Sequence, residues 1–454
     1  MINRFARYKL PGNPDSICYS DLLKQEMSLY LFLLNELMKI NIQSVKLPEF
    51  GVPKESPELP ALIYEQRLAQ LRGRMKQDQI DFCVIYADRE HTANLTWLCG
   101  YDPRFEESIL IIGQTLTPTI LVGNEGWGYC DLAGLPMKKV LFQTLSLPGQ
   151  DRSNSKKLKT IFSEAGINTV SRIGIAGWKY FSKIEFENPR HQFEVPFYLI
   201  SVLRELVLDS DHLFNVNDWF MNPSDGLRAI NEAEQLAVFE FSASHTSNGL
   251  KQVLFGIKPG MTEYEAAALM QYTGIPKSAH PMLSAGPRAA YGLPSPSGRR
   301  LSVGEPFTMA MGLWGALNAR AGWFVQDEDQ LPASVKDYVN KLAIPYFRAV
   351  SRWYEHIGIG VKGRELYEII HEEIGDPFFG VSLNPGHLIH IDEWLNSPVF
   401  AGSDISLKSG MAIQVDVIPA TGTPYHTINI EDGIALADET LRQEIQNKFP
   451  AMWN

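Results

Sequence analysis

Cysteine is scarce in this chain: four among 454 residues, with none of Cys18, Cys83, Cys99 and Cys130 in a CxxC pair. That excludes a zinc ribbon and a disulfide framework, and it points to buried free thiols in a reducing compartment. A basic excess is missing too. Lys and Arg number 41 against 52 Asp and Glu, a net charge of −11. A general nucleic-acid binder normally carries a basic face, so nucleic acid is not an expected partner. No apolar run is long enough to cross a bilayer. The most apolar early stretch, Met27–Met38, is short and broken by Asn35 and Glu36, so a packed amphipathic helix is expected and a membrane is not. The opening MINRFARYKLPGNPDS has no apolar core after its charges and no small-residue cleavage site. No secretory leader is expected, and a cytoplasmic location follows. The stretch GPRAAYGLPSPSG at 286–298 lacks the Gly-Lys-Ser/Thr ending of a phosphate cradle.

What remains is an ordinary globular composition, 45% hydrophobic and 20% charged. The length exceeds what one core usually holds, so more than one domain is expected. Residues 1–60 read as a helical extension over Leu22–Ile42 followed by a Pro-rich linker, Lys46–Pro60. Residues 61–215 read as an α/β domain. Its helix Leu62–Gln77 precedes the apolar strand Asp81–Tyr86, with further strands over Ser108–Ile112, Thr119–Val122, Val140–Thr144 and Arg172–Ala176, and a helix over Asn154–Ala165. Residues 216–454 read as an α+β domain. Helices are expected over Gly226–Leu254, from Thr262 with a capping box to Glu265, and over Ser334–His356 and Gly363–Ile374. Strands are expected over Phe307–Met311, Ala412–Val417 and Thr427–Ala435.

Several modest signals recur in a recognisable order. They are the TANLTWLCGY turn at 92–101, LRAINEAEQLAVFE at 227–240, KPGMTEYE at 258–265 and SAGPRAA at 284–290. Three further segments follow: Thr308–Val325, Asn384–Pro398 and Gly410–Asp438. Over roughly residues 60–450 the chain resembles the creatinase, aminopeptidase P, prolidase and methionine aminopeptidase family. The resemblance implies a creatinase-type N-terminal domain, a pita-bread C-terminal domain and a homodimer.

That family usually holds two metal ions with two Asp, one His and two Glu. Here the two Asp positions fall on Ala310 and Ala321, and the upstream catalytic His position falls on Leu293. A second His position falls on Trp394, and the Glu that creatinase uses for proton transfer falls on Trp323. His387, Asp416 and Glu431 remain as ligand-type side chains, with Asp416 standing where Glu is usual.

Two readings of this remnant stay open. One His and two carboxylates can hold a single divalent ion, with zinc, manganese, iron and cobalt not distinguishable. Alternatively no cofactor binds, and the buried acids are paired with imidazoles or other counter-charges. His387, His390, His426 and Arg320 are candidates for that role, although strand alternation aims Arg320 away from the acids. The run Gly386–Glu393 is not the HExxH zinc signature. His387, His390 and Asp392 are the candidate catalytic groups, with His390 and Asp392 as an acid/base or His-orienting pair. On a helix His387 and His390 would share a face, and on a strand they would oppose each other. Arg288 could clamp a substrate carboxylate, Arg320 could contact substrate, and Trp323 and Trp394 could stack on it. His280 reads as a pocket-mouth or a structural residue.

Three functions are expected from this set. The first is a divergent protein acting on or binding a small molecule with an amide- or amidine-like C–N bond. The second is an Xaa-Pro peptidase with one metal, taking short peptides. The third is a non-catalytic pseudoenzyme that keeps the pocket for ligand binding.

Overall fold

The first sheet is built around a strand whose six residues, Phe82–Ala87, are all buried. In this computed structural model, which describes residues 51–453 together with Ile40, Lys46, Leu47 and Glu49, Phe50–Asn454 form one compact unit. The helix expected over Leu22–Ile42 and Cys18 fall outside the described residues, apart from Ile40. The sheet comprises β1 (Phe82–Ala87), β2 (Ser108–Gly113), β3 (Thr119–Val122), β4 (Lys138–Leu141), β5 (Ile173–Ala176) and β6 (Leu213–Asn215). Its order is β4-β3-β2-β1-β5-β6. The pairs β1–β5, β5–β6 and β3–β4 are parallel, and β1–β2 and β2–β3 antiparallel. Central strands covered on both faces read as continuous apolar runs, which is why this part was legible in the sequence. One face packs on α1 (Ala61–Gln77) through Leu68, Leu71 and Met75, and on α2 (Ala93–Cys99). The other packs on α3 (Leu158–Glu164) and α4 (Phe197–Leu206).

The second sheet is wholly antiparallel. It runs β10 (His387–Leu388), β11 (Ala412–Val415), β12 (Asn429–Ala435), β9 (Ala316–Phe324), β8 (Glu305–Leu313) and β7 (Met282–Ala285). Helices pack against it: α5 (Ala233–Gly256), the short α6 (Glu263–Ala268), α7 (Ile344–His356) and α8 (Gly363–Ile374), with α9 (Glu439–Lys448) following β12. The capping box of α6 forms as expected: Thr262 Oγ1 accepts from Glu265 N at 3.1 Å, and Glu265 Oε2 accepts from Thr262 N at 2.7 Å.

Two helices differ from the sequence reading. The helix expected from Gly226 begins only at Ala233. Residues 227–231 spend their backbone elsewhere: Arg228 N donates to Phe220 O at 3.0 Å and Asn231 N to Gly410 O at 2.8 Å. The helix expected from Ser334 is interrupted by a wider turn over Val339–Ala343. Pro345 has no N–H to return to the preceding turn, which favours that widening.

Two buried arginines staple the sheets' supporting elements together. Arg67 of α1 bonds Glu232 at 3.1 and 2.7 Å, Gln235 at 2.9 Å and the Trp97 carbonyl at 2.7 Å. Arg228 bonds Asn94 of α2 at 2.8 Å and the carboxylate of Asp392. Among the described residues no helix is long and apolar enough to cross a membrane.

Candidate active site

Strand register assembles the site. Across β8 and β9, Ala310 faces Ala319 and Thr308 faces Ala321. Glu431 of β12 faces Ala319, and Asn429 faces Ala321. Gln414 faces Gly433, and His387 faces Gln414. Residues opposite one another, or two apart on one strand, share a sheet face. His387, Gln414, Glu431, Ala310, Ala319 and Ala321 therefore lie on one face. Asp416, just past β11, continues the Gln414 side. The two alanines that stand where the resemblance expects Asp lie on the face that carries the remaining acids.

His387, Asp416 and Glu431 are all buried, and one ligand atom from each lies within 4.8 Å of the others. His387 stacks on Trp394, ring centres 4.1 Å apart and 20° from parallel. Its Nδ1 lies 3.2 Å from the Leu388 carbonyl and its Nε2 lies 3.3 Å from Glu393 Oε1. That last approach lacks hydrogen-bond geometry, so Nε2 stays unpartnered, as does Asp416 Oδ1. Glu431 receives two weak amide donations, from Gln414 at 3.3 Å and Asn429 at 3.4 Å.

The electrostatics are unfavourable for bare carboxylates. Burial lifts the Asp416 carboxyl to about 6, with His387 pulling it down and Glu393 pushing it up. Burial, with Asp416 and Glu393 beside it, raises Glu431 well above the usual carboxylate range. Among the described residues no Lys or Arg pairs with either acid. Arg320 lies on the opposite face, bound to Asp432 at 2.9 and 3.0 Å. Strand alternation sends it there, so it serves neither as counter-charge nor in the cluster.

The other expected residues are placed as follows. Asp392 bonds Arg228 rather than His390. His390 is fully buried, edge-on to Phe239 at 5.1 Å, with its Nδ1 3.5 Å from Arg228. Burial and the Arg228 charge hold its imidazole well below the ordinary histidine range, and the Asp392 carboxylate expected to pair with it is bonded by Arg228. His387 lies on a two-residue strand, not a helix, and His390 is not in its cluster. The Arg288 guanidinium is taken up by buried Glu263, by Ser297 at 2.7 Å and by the Ser295 carbonyl at 2.8 Å. Trp323 packs edge-on to Tyr338 and His426. His280 bonds the Leu293 carbonyl at 2.8 Å. Trp394 does reach open space, on the wall of a cleft of about 920 Å³.

That cleft has walls from both sheets' loops. Trp178, Lys179 and Tyr180 come from the N-terminal part, and Tyr272, Lys277, Trp314, Glu393 and Trp394 from the C-terminal part. Glu393 is the residue that sequence reasoning left without a role. It joins the cleft to the buried cluster, and its signal was its place at the end of the polar run Gly386–Glu393. Arg228 and Gln414 carried no chemical motif at all.

This architecture, a mixed α/β layer followed by a curved antiparallel sheet backed by long helices, matches known structures. The prolidase from Pyrococcus horikoshii OT3 superposes with a TM-score of 0.63 at 16% identity, over 82% of this chain and 95% of that one. The chain has the pita-bread fold. An Xaa-Pro dipeptidase from Bacillus anthracis matches at 0.60 and 16% identity, over 83% and 96% of the two chains. An X-Pro aminopeptidase from Thermotoga maritima MSB8 matches at 0.60 and 16%, over 82% and 95%. No protein-family model and no curated protein matches the sequence. On this pita-bread scaffold the dinuclear five-ligand set does not fit, because Ala310 and Ala321 offer only methyl groups. The donor set suits a single divalent ion, since His387, Asp416 and Glu431 converge and His387 Nε2 and Asp416 Oδ1 have no hydrogen-bond partner.

Proposed function

We propose that the chain is a hydrolase of amide-type C–N bonds in small molecules or short peptides, working with one divalent ion instead of two. The observation that carries this reading is the buried convergence of His387, Asp416 and Glu431, with no Lys or Arg paired to either acid among the described residues. Buried carboxylates that lack a counter-charge are costly unless they are protonated or bind a cation. An ion held by these three residues would polarise a carbonyl and acidify a water.

The remaining work falls to the chain's own groups. Trp394 fixes the His387 ring by stacking and shields one side of the cluster. Gln414 and Asn429 orient the Glu431 carboxylate. Glu393, beside His387 and open to the cleft, is placed to hold a proton between water and a leaving nitrogen. In this reading the protein is a cytoplasmic homodimer.

The test is a panel of Xaa-Pro dipeptides, acylated amino acids and guanidino compounds, assayed with Mn²⁺, Zn²⁺ and Co²⁺ added in turn. Turnover that needs an added ion and is lost in Glu431→Gln supports the reading. A second reading draws on the raised Asp416 and Glu431 carboxyls: both acids neutral, no ion, and the cleft kept only for binding. It predicts saturable ligand binding with no turnover and no dependence on metal.

A further inference from the structure

Beside the cleft lies a smaller cavity that the reaction chemistry does not require. It measures about 330 Å³ and is lined by Tyr264, Ala267, Met270, Met311 and Leu313, among others. That volume lies near the lower end of the range for ligand pockets. Its walls are almost wholly apolar, and two of them are methionine side chains, which adapt readily to an occupant's shape. Tyr272 and Lys277 line both this chamber and the main cleft. They stand on the wall that the two spaces share.

Lys277 is the one charged residue on the wall of the smaller cavity. The Lys277 ammonium lies 4.4 Å from the Tyr272 ring centre and makes no ion pair among the described residues. Lys179, on the same cleft, lies 4.5 Å from the Trp178 ring centre and likewise has no carboxylate partner among the described residues. Glu90, Asp102, Asp392 and Glu393 also line the main cleft, but the smaller cavity has no carboxylate on its wall, so the Lys277 ammonium there favours an anionic guest.

From this we infer that the ligand of the cleft is amphipathic, with an apolar chain or ring in the Tyr264–Met311 chamber and an anionic head at Lys277. This rests on the cleft being the ligand site proposed above. It goes beyond that reading by fixing which small molecules fit. Compact polar amides would leave the chamber empty, whereas an acylated acid with a side-chain-sized apolar group would fill both spaces.

The experiment uses the full-length protein with a chelator present, so that no ion contributes to binding. Acetate, butyrate, hexanoate, octanoate and the uncharged octanol are titrated calorimetrically. Affinity should rise about tenfold or more from acetate to octanoate, as each buried methylene adds to transfer free energy. Lys277→Met should weaken octanoate several-fold and leave octanol unchanged. Ala267→Trp, which fills the chamber, should abolish the dependence on chain length. Affinity that is flat across the series, or a chain-length dependence that survives in Ala267→Trp, overturns the inference. If Ala267→Trp does not fold, the wild-type series and Lys277→Met decide it. Failure of metal-dependent turnover would leave this result untouched, so the two readings fail separately.

Discussion

Asp416 shows how one side chain reports on the whole site. Its carboxyl titrates at about 6 in the fold against 3.8 when unperturbed. The folded chain therefore binds that proton more tightly than the unfolded chain does. The resulting stability is complete below pH 3.8 and is lost as pH rises through about 6. Glu431 acts in the same direction. Chelator-treated protein should thus lose on the order of 1 kcal/mol per pH unit as pH is raised through that window. Urea unfolding at several pH values measures this, and Asp416→Asn should flatten the slope. Saturating Mn²⁺ should reverse the trend, because ligands must be deprotonated to bind. The alanines give a second prediction at this scale. Ala310 and Ala321 share the Glu431 face, so Ala310→Asp with Ala321→Asp should raise metal binding by one ion per chain. Equilibrium dialysis with metal analysis checks the stoichiometry.

At the scale of elements, the segment His387–Asn396 is held by clasps rather than by regular structure. Arg228 grips Asp392, while Asn396 Nδ2 bonds Tyr180 Oη at 2.6 Å and the Met221 carbonyl at 2.8 Å. These clasps fix Glu393 and Trp394 between them. Replacing Arg228 by Met leaves Asp392 and Asn94 without their partner, and should cost about 3 kcal/mol in urea unfolding. It should also loosen Trp394 from His387, read as a change in tryptophan fluorescence. No such clasp was legible in the sequence. Period and capping announced α1, β1 and the start of α6, because those patterns are local. The non-helical stretch before α5 was hidden, since its backbone bonds leave the helical pattern, from Arg228 to Phe220 and from Asn231 to the distant Gly410. The ligand-type trio was readable because its residues sit in ordered motifs. The contact that Asp392 makes was not readable, because the buried arginine that bonds it, Arg228, comes from a distant segment.

For the molecule as a whole, the cleft draws on both sheets' loops, so its shape depends on the Arg67 and Arg228 staples between the elements that carry them. A homodimer is proposed as the working form, and light scattering on the purified chain should return twice the chain mass. The central claim is that a pita-bread scaffold here retains one metal position out of two. The direct measurement is the ion content of the full-length protein after dialysis against Mn²⁺, Zn²⁺ and Co²⁺, beside a variant carrying Asp416→Asn and Glu431→Gln. The account predicts one tightly held ion per chain in the wild type and none in the variant. A wild type that retains no ion, or a variant that retains as much as the wild type, would contradict it.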